Sequence, residues 1–410
     1  MPIFNTQIGL TKRESLKQRL KNIPWINRVN AHLKALIQEY KAATELSYYR
    51  RTRSAAETQS YDPSKIGQAV RKRLLNRGLY LTPKAKGDLH IFLTYTLHNW
   101  ESILPRALKS YGLITEFEWC SQGFDGKLNK SSFESNRKIS LAMLDAFYRS
   151  NDQSPVDVVV GYLTGFMIDP LILKKIGKAG ATILNFSWDD KLGFRDRKYG
   201  GRWSGPAALA EAVDLNLTNS PESCLKYEGE GGLAMFWPEG AHPEIHKPYE
   251  LPFEYDVSFV GKKYGWRPQF IEQLGKRGIE VACFGSGWDT GNLSDEEMVK
   301  LYSRSRINLG FAGVGHSKKL MCLKGRDFEV PMSGGLYLTQ DNPELSLVFD
   351  VGKEIMTYQD EEDCTRKISY LLANPEIAAR IRTAARKRAL MDHTWENRFD
   401  TAFRCSGIMH

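Results

Sequence analysis

Within the six residues Lys324-Gly325-Arg326-Asp327-Phe328-Glu329 the chain places two cations and two carboxylates. The hydrophobic pattern passes here from a loop into a helix. Lys324 and Arg326 would then stand beside the free N–H groups of the first helical turn, and together these suit a diphosphate. Glu329, one turn on, would accept hydrogen bonds from both hydroxyls of a ribose diol, as an acidic residue does in dinucleotide folds. The same i, i+3 spacing also describes a solvated helix pair contributing about 0.2–0.5 kcal/mol, and local spacing leaves both readings open.

Such a segment needs a scaffold. A chain of 410 residues exceeds one ordinary core and fits two α/β domains with an extension. With 42% hydrophobic and 26% charged residues it belongs with folded chains, not disordered or fibrous ones. Cysteines at 120, 224, 283, 322, 364 and 405 show no C-x-x-C pair that would bind zinc or cycle as a dithiol, and are expected to be reduced. The first residues, Met1-Pro2-Ile3-Phe4-Asn5-Thr6-Gln7, lack the pattern of a secretory signal, and the longest apolar run, 158–168, is about half a membrane span. A cytoplasmic location is the expectation, with peripheral attachment to the inner membrane face left open.

From Asp88 the texture alternates between strand and helix signals: strand 89–95, helix 100–111, strand 114–120, helix 131–150, strand 156–161, helix 170–179, strand 182–187, helix 206–213, and strands near 216–218 and 233–237. Apolar strands such as Val156-Asp157-Val158-Val159-Val160 fit a parallel sheet covered on both faces. The pattern restarts with strand 256–261, helix 266–277, strand 280–284, helix 295–304, strand 307–311, helix 326–332, and strands 335–339 and 354–357. Helices over 361–373 and 375–388 close it. The predicted architecture is therefore α/β, with a basic helical extension over 1–87 and Rossmann-like domains over 88–240 and 241–388. A closing segment, 389–410, is free to cross back. Two such domains face their ligand crevices across one cleft.

From about residue 91 to 403 the chain resembles the CgeB-like (spore-maturation-type) glycosyltransferases of the GT-B clan. The resemblance rests on Asp256-Val257-Ser258-Phe259-Val260-Gly261, Phe284-Gly285-Ser286-Gly287-Trp288, Ile307-Asn308-Leu309-Gly310-Phe311, Lys324 to Glu329, and His393-Thr394-Trp395 with Arg398. It implies a GT-B fold, an NDP-sugar donor (a UDP-sugar favoured) in the second domain, and an acceptor in the first. In the wider clan two glutamates are separated by seven residues and a glycine stands five after the second. Glu329 and Gly334 match the second half of this pattern, whereas Met321 occupies the place of the first glutamate, so retention or inversion is left open. The resemblance also puts Gly261, Lys263 and Arg267 near the donor phosphates and Ser286 and Trp288 near the base. Gly313-Val314-Gly315-His316-Ser317 becomes a loop able to close over the sugar. A plain strand-end glycine, a Trp288 covering the sheet edge and an ordinary turn are the alternatives.

Negative charge growing on a leaving diphosphate would be met by Lys324 and Arg326 without Mg²⁺. No D-x-D pair stands at a strand end, and no metal is expected; Asp360-Glu361-Glu362-Asp363 reads as the acidic first turn of a helix. For an inverting reaction the general base would come from a strand end of the first domain, where Asp189, Asp190, His98 and Glu101 are the candidates, each with a capping, turn or packing role as its alternative. Trp237-Pro238-Glu239-Gly240-Ala241 reads as the hinge, with Glu239 either facing the cleft or serving structure alone. Residues 1–88 hold 18 Lys/Arg against 6 Asp/Glu while the chain as a whole is at +9. That basic arm would suit an anionic membrane near a lipid-linked acceptor, nucleic acid, a partner helix, or simple packing on the body. The acceptor is left as a glycan, a protein or a lipid-linked molecule. A non-catalytic scaffold of the same fold is the rival class. A nicotinamide dehydrogenase is disfavoured because no G-x-G-x-x-G follows either first strand.

Overall fold

The computed structural model describes residues 24–52, 63–96, 103–188 and 190–410. Its first sheet contains β1 (Leu89–Tyr95), β2 (Gly112–Glu118), β3 (Val158–Gly161), β4 (Thr182–Ser187), β7 (Leu215–Thr218) and β8 (Ala234–Phe236), in the order β2-β1-β3-β4-β7-β8 with every pair parallel. A small antiparallel hairpin, β5 (Lys198–Tyr199) with β6 (Arg202–Trp203), sits between β4 and β7. The second sheet contains β9 (Tyr255–Val260), β10 (Ala282–Phe284), β11 (Ser305–Leu309), β12 (Tyr337–Gln340) and β13 (Met356–Tyr358), ordered β10-β9-β11-β12-β13 and again all parallel. Every residue of β1, β3, β4 and β7 is buried, because helices cover both faces of the sheet, and their few polar residues, such as Asn185 and Asn216, are buried with hydrogen-bond partners. In each sheet the strand order reverses between the first and third strands, which opens a crevice at their carboxyl ends.

The helices are α1 (Pro24–Thr52), α2 (Pro63–Asn76), α3 (Leu104–Leu108), α4 (Lys130–Gln153), α5 (Pro170–Lys178), α6 (Asp190–Gly193), α7 (Pro221–Gly229), α8 (Arg267–Lys276), α9 (Asp295–Arg304), α10 (Arg326–Met332), α11 (Glu361–Ala373), α12 (Pro375–Asp392) and α13 (Trp395–Ser406). Two sequence expectations change here. The helix expected over 206–213 is only a 3₁₀ turn, Pro206–Ala208, and the segment after β7 forms α7, which the pattern did not announce. The first expectation failed because short Ala-rich spacing satisfies helix periodicity without the length needed to propagate it.

The described parts of the extension, 24–52 and 63–87, pack on the rest of the chain. Ile66, Val70 and Leu74 of α2 join the core formed by β1, β3, β4 and β7. Arg77 pairs with buried Asp214 at 2.9 Å, and Lys84 pairs with Asp157 at 2.7 Å. The returning helix α13 enters the same core through Trp395, Phe399 and Phe403, and the chain end pairs with Lys84. Helix α1 runs across both halves. Tyr49 packs on Phe194 and donates to Glu230, and Glu45 pairs with buried Lys226. Nearer its start, Gln38 accepts the His316 N–H at 2.8 Å and Glu39 accepts the Ser317 hydroxyl at 2.6 Å. The apolar row Val29, Leu33, Leu36, Ile37 and Tyr40 is exposed, and Gln38, Glu39, Glu45 and Tyr49 make the contacts.

Candidate functional site

Helix α10 begins at Arg326 after an N-cap glycine that makes no side-chain cap. Asp327 does the capping from within: its carboxylate accepts the Lys324 backbone N–H at 2.7 Å and a bond from the Tyr337 hydroxyl. Burial pushes Asp327 up to about 6, while those donors and the nearby charges of Lys324 and Arg326 pull against it. This group shapes the loop.

Two guanidinium groups meet at the crevice of the second sheet. A Cβ added to Gly261, just beyond β9, would lie 3.5 Å from Nη2 of Arg326. Burial opposes the charge on Arg326, but the hydroxyls of Tyr302 and Tyr337 and the carboxylates of Glu329 and Asp327 hold its pKa above the ordinary value. Arg267 is buried at the start of α8; burial first, then repulsion by Arg326, lowers its pKa. Arg267 donates to the Lys262 carbonyl at 3.3 Å and lies over the Tyr264 ring at 4.5 Å. Among the described residues neither arginine forms an ion pair. Gly261 has φ of +157°, and a side chain there would strike the Phe259 ring at 2.7 Å, so the backbone at this point stays bare. Two guanidinium groups without an ion-pair partner among the described residues, beside a bare backbone turn, suit a planar or tetrahedral oxyanion.

Carboxylates line the other side. A Cβ on Gly325 would stand 2.8 Å from Oε1 of Glu329 and 2.7 Å from Oε2 of Glu239. Glu329 points back toward the start of α10, where the Tyr302 hydroxyl reaches Oε2 at 3.5 Å. Glu239 arrives from the turn after β8. Its backbone is fixed by Arg398 of α13, whose Nε donates to the carbonyls of Pro238 at 3.0 Å and Glu239 at 3.2 Å. Ala241 is laced to the same helix entry, donating to His393 at 3.0 Å and accepting from Trp395 at 3.1 Å. Burial, then the Glu329 charge, pushes the Glu239 carboxyl up to about 8, against the pull of Lys324 and Arg326. The turn from Trp237 to Ala241 reads in sequence as a hinge with Glu239 free to face the cleft, and nothing in its spacing ties Glu239 to Glu329. Tyr302 and Tyr337 carried no sequence signal at all, since only tertiary packing brings them to Arg326.

The other expected residues are spread around this centre. Trp288 donates from Nε1 to the Gly261 carbonyl at 2.8 Å, and Lys263 lies over its ring at 4.9 Å. The Ser286 carbonyl accepts the Lys263 N–H at 2.9 Å, so the loops after β9 and β10 form one rim. His316 is held by α1 through Gln38; burial, then Lys34, lowers its pKa. Gly334 lies elsewhere. It stops α10 at the end opposite Arg326 with φ of +74°, against Pro248 and Arg386, so its role is to end the helix.

The first sheet presents the carboxyl ends of β4 and β7 to this segment. Lys191 donates to the Met321 carbonyl and pairs with Glu344 at 2.6 Å, and the Asn219 amide donates to Leu323 at 3.2 Å. Asp190 does not face this cleft as an open base. It is fully buried and accepts the Tyr227 hydroxyl at 3.0 Å, and its backbone carbonyl takes buried Lys226 at 2.9 Å. Burial raises its pKa, opposed by bonds from Ser187, Thr218 and Tyr227 and by the Lys226 charge. The first turn of α6 points inward, under α1, and this is why the aspartate is sealed. Asp189, His98 and Glu101 lie outside the described residues.

Residues 267–404 match a family model described as glycosyl transferase-like. No curated protein matches the sequence. Among solved structures, the chain is similar to sucrose-phosphate synthase from Thermosynechococcus elongatus, at 12% identity and a TM-score of 0.55, covering 77% of this chain and 98% of that one. An alpha-glucosyltransferase in complex with UDP-glucose and DNA containing an abasic site matches at 12% identity and 0.50, covering 78% and 99%. HepE from Anabaena in complex with UDP-glucose matches at 10% and 0.50, covering 77% and 99%. These likenesses and the two parallel sheets establish the fold as that of the GT-B glycosyltransferases.

Proposed function

We propose that the protein transfers a sugar from a nucleoside-diphosphate donor, a UDP-sugar favoured, to an acceptor held against the first sheet. The observation that carries the reading is the meeting of Arg267 and Arg326, neither in an ion pair among the described residues, at the bare turn of Gly261, with Glu329 alongside. In this reading the guanidinium groups and Lys324 take the diphosphate, Glu329 takes a ribose diol, and the rim of Ser286 and Trp288 receives the base. As the glycosidic bond to the diphosphate breaks, charge grows on the departing oxygens, and fixed cations stabilise it without reorganising. Side-chain cations meeting that charge make a metal-independent transfer the expectation. The UDP-glucose in two of the similar structures and the glycosyl transferase-like match over 267–404 support the donor class. The CgeB-like assignment rests on the sequence segments quoted above. Met321, in the place of the clan's first glutamate, keeps a second reading in view: a nucleotide-sugar-binding protein without turnover.

Calorimetric titration with UDP and UDP-glucose tests the donor site. Arg326→Ala and Glu329→Ala should each weaken UDP binding roughly 10- to 100-fold, the loss of a charge-assisted hydrogen bond, with Tm little changed. Parent-like binding by both variants would refute the assignment. UDP release from UDP-sugars in the presence of mixed acceptors, unaffected by EDTA, would separate the enzyme from the binding protein; release abolished by EDTA would remove the metal-independent mechanism.

A further inference from the structure

Gly325 has a carboxyl group on each side. Oε1 of Glu329, from one turn further along α10, and Oε2 of Glu239, from the end of β8, stand 2.8 Å and 2.7 Å from the same built position on that glycine. No hydrogen bond among the described residues satisfies the Glu239 carboxyl, and Glu329 has only the 3.5 Å contact with Tyr302. Both residues are half-buried at the edge of the crevice, so their carboxyl oxygens keep hydrogen-bonding capacity that a ligand entering there can use. The backbone around Glu239 is strongly fixed: Arg398 holds the carbonyls of Pro238 and Glu239, and Gly240 is packed so closely on Trp395 that a Cβ would lie 2.9 Å from its nitrogen. Such anchoring positions a side chain; it does not leave a passive hinge.

We propose that Glu239 is a second donor-recognition residue, which with Glu329 forms a pair of carboxyl groups that grips a vicinal diol of the nucleotide sugar across Gly325. The inference rests on the donor-site reading above. Each hydroxyl of a diol is both donor and acceptor, and a pair of carboxyl groups sharing one proton offers both functions in return. The surroundings favour that protonation state. Glu239 faces Glu329, Asp327 and Arg326 on α10 and Lys324 in the preceding loop, with Arg398 of α13 at its backbone, and burial together with the Glu329 charge keeps its proton to about pH 8. Glycine at 325 leaves the space between the two groups open, since any side chain there would meet both.

Ribose and the transferred sugar both carry vicinal diols, and three ligands distinguish them: UDP, 2′-deoxy-UDP and UDP-glucose, titrated against the full-length parent, Glu239→Ala and Glu239→Gln. If the pair grips ribose, Glu239→Ala binds UDP about tenfold more weakly while 2′-deoxy-UDP changes little. If it grips the sugar, UDP is unchanged and UDP-glucose weakens by a similar factor. In either case Glu239→Gln, whose amide still donates and accepts, keeps most of the parent affinity. Parent affinity should fall as pH rises through about 8, and the glutamine variant should lack that fall. Parent-like binding of all three ligands by Glu239→Ala, or an equal loss for all three, would overturn the pairing and leave the donor site standing. A parent that binds none of the three would overturn the donor-site reading and the pairing with it.

Discussion

Asp190 and Glu239 both stand just beyond strand ends of the first sheet, and their surroundings give them opposite characters. Asp190 turns inward, where the Tyr227 hydroxyl and neighbouring donors hold it beneath α1. Glu239 turns toward the second sheet, into a cluster of opposite charges with its own bonds unmade. A carboxylate at a strand end can therefore be read from sequence, but its direction cannot. Asp190→Ala should destabilise the protein by about 1–3 kcal/mol, because the buried Tyr227 hydroxyl is left unsatisfied, while turnover of the folded protein stays within a few-fold of the parent. Urea unfolding together with UDP-release kinetics checks this. A loss of about a thousandfold in rate with unchanged stability would instead make Asp190 the general base.

Among the elements, α13 carries more of the site than its distance in sequence implies. Arg398 sends three bonds to main-chain oxygens, at Pro238, Glu239 and Asp392, and a fourth contact from Nη2 to His393 at 2.9 Å. In sequence His393-Thr394-Trp395 and Arg398 stand out only as a motif of the resemblance. In the fold the helix is itself the anchor, holding the turn that presents Glu239. Arg398→Ala should lower stability by about 2–4 kcal/mol, since several buried carbonyls lose a donor at once, and should weaken nucleotide-sugar binding through the loosened turn. An unchanged urea midpoint would contradict the clamp. Helix α1 shows the limit of pattern reading at this scale. Its apolar periodicity is plain, yet its anchoring is done by Gln38, Glu39, Glu45 and Tyr49.

For the whole molecule the junction between the two sheets should respond to pH. The Glu239 carboxyl is raised from 4.5 to about 8 in the folded protein, so between those values the folded state keeps a proton that the unfolded state has released. Stability must then fall as pH rises through that window, and the loss is complete above about pH 8. Glu239→Gln removes this contribution. Its Tm should match the parent's near pH 5 and exceed it by a growing margin up to pH 8, as measured by scanning calorimetry; a constant difference across that range would show that the group is not protonated in the fold. No helix among the described residues is long and apolar enough to cross a membrane. Part of the basic surplus of the first 88 residues is neutralised within the fold, at Arg77 and Lys84.

The sequence alone determined the alternation of strands and helices, the parallel character of both sheets, the exact span of α10 and the residues Lys324, Arg326 and Glu329 as one constellation. These follow from local physics: apolar runs such as Val158 to Val160 mark strands covered on both faces, and a change from loop composition to helical periodicity marks the start of a helix. Only the tertiary structure decided which neighbours complete that constellation. Arg267 and Arg326 lie 59 positions apart in the chain and Glu239 and Glu329 lie 90 apart. The arginines meet at the carboxyl ends of the second sheet's own strands, and the glutamates meet because the turn after β8, held by α13, faces the start of α10. Contacts of that separation are set by packing, and no periodicity or spacing in the chain encodes them.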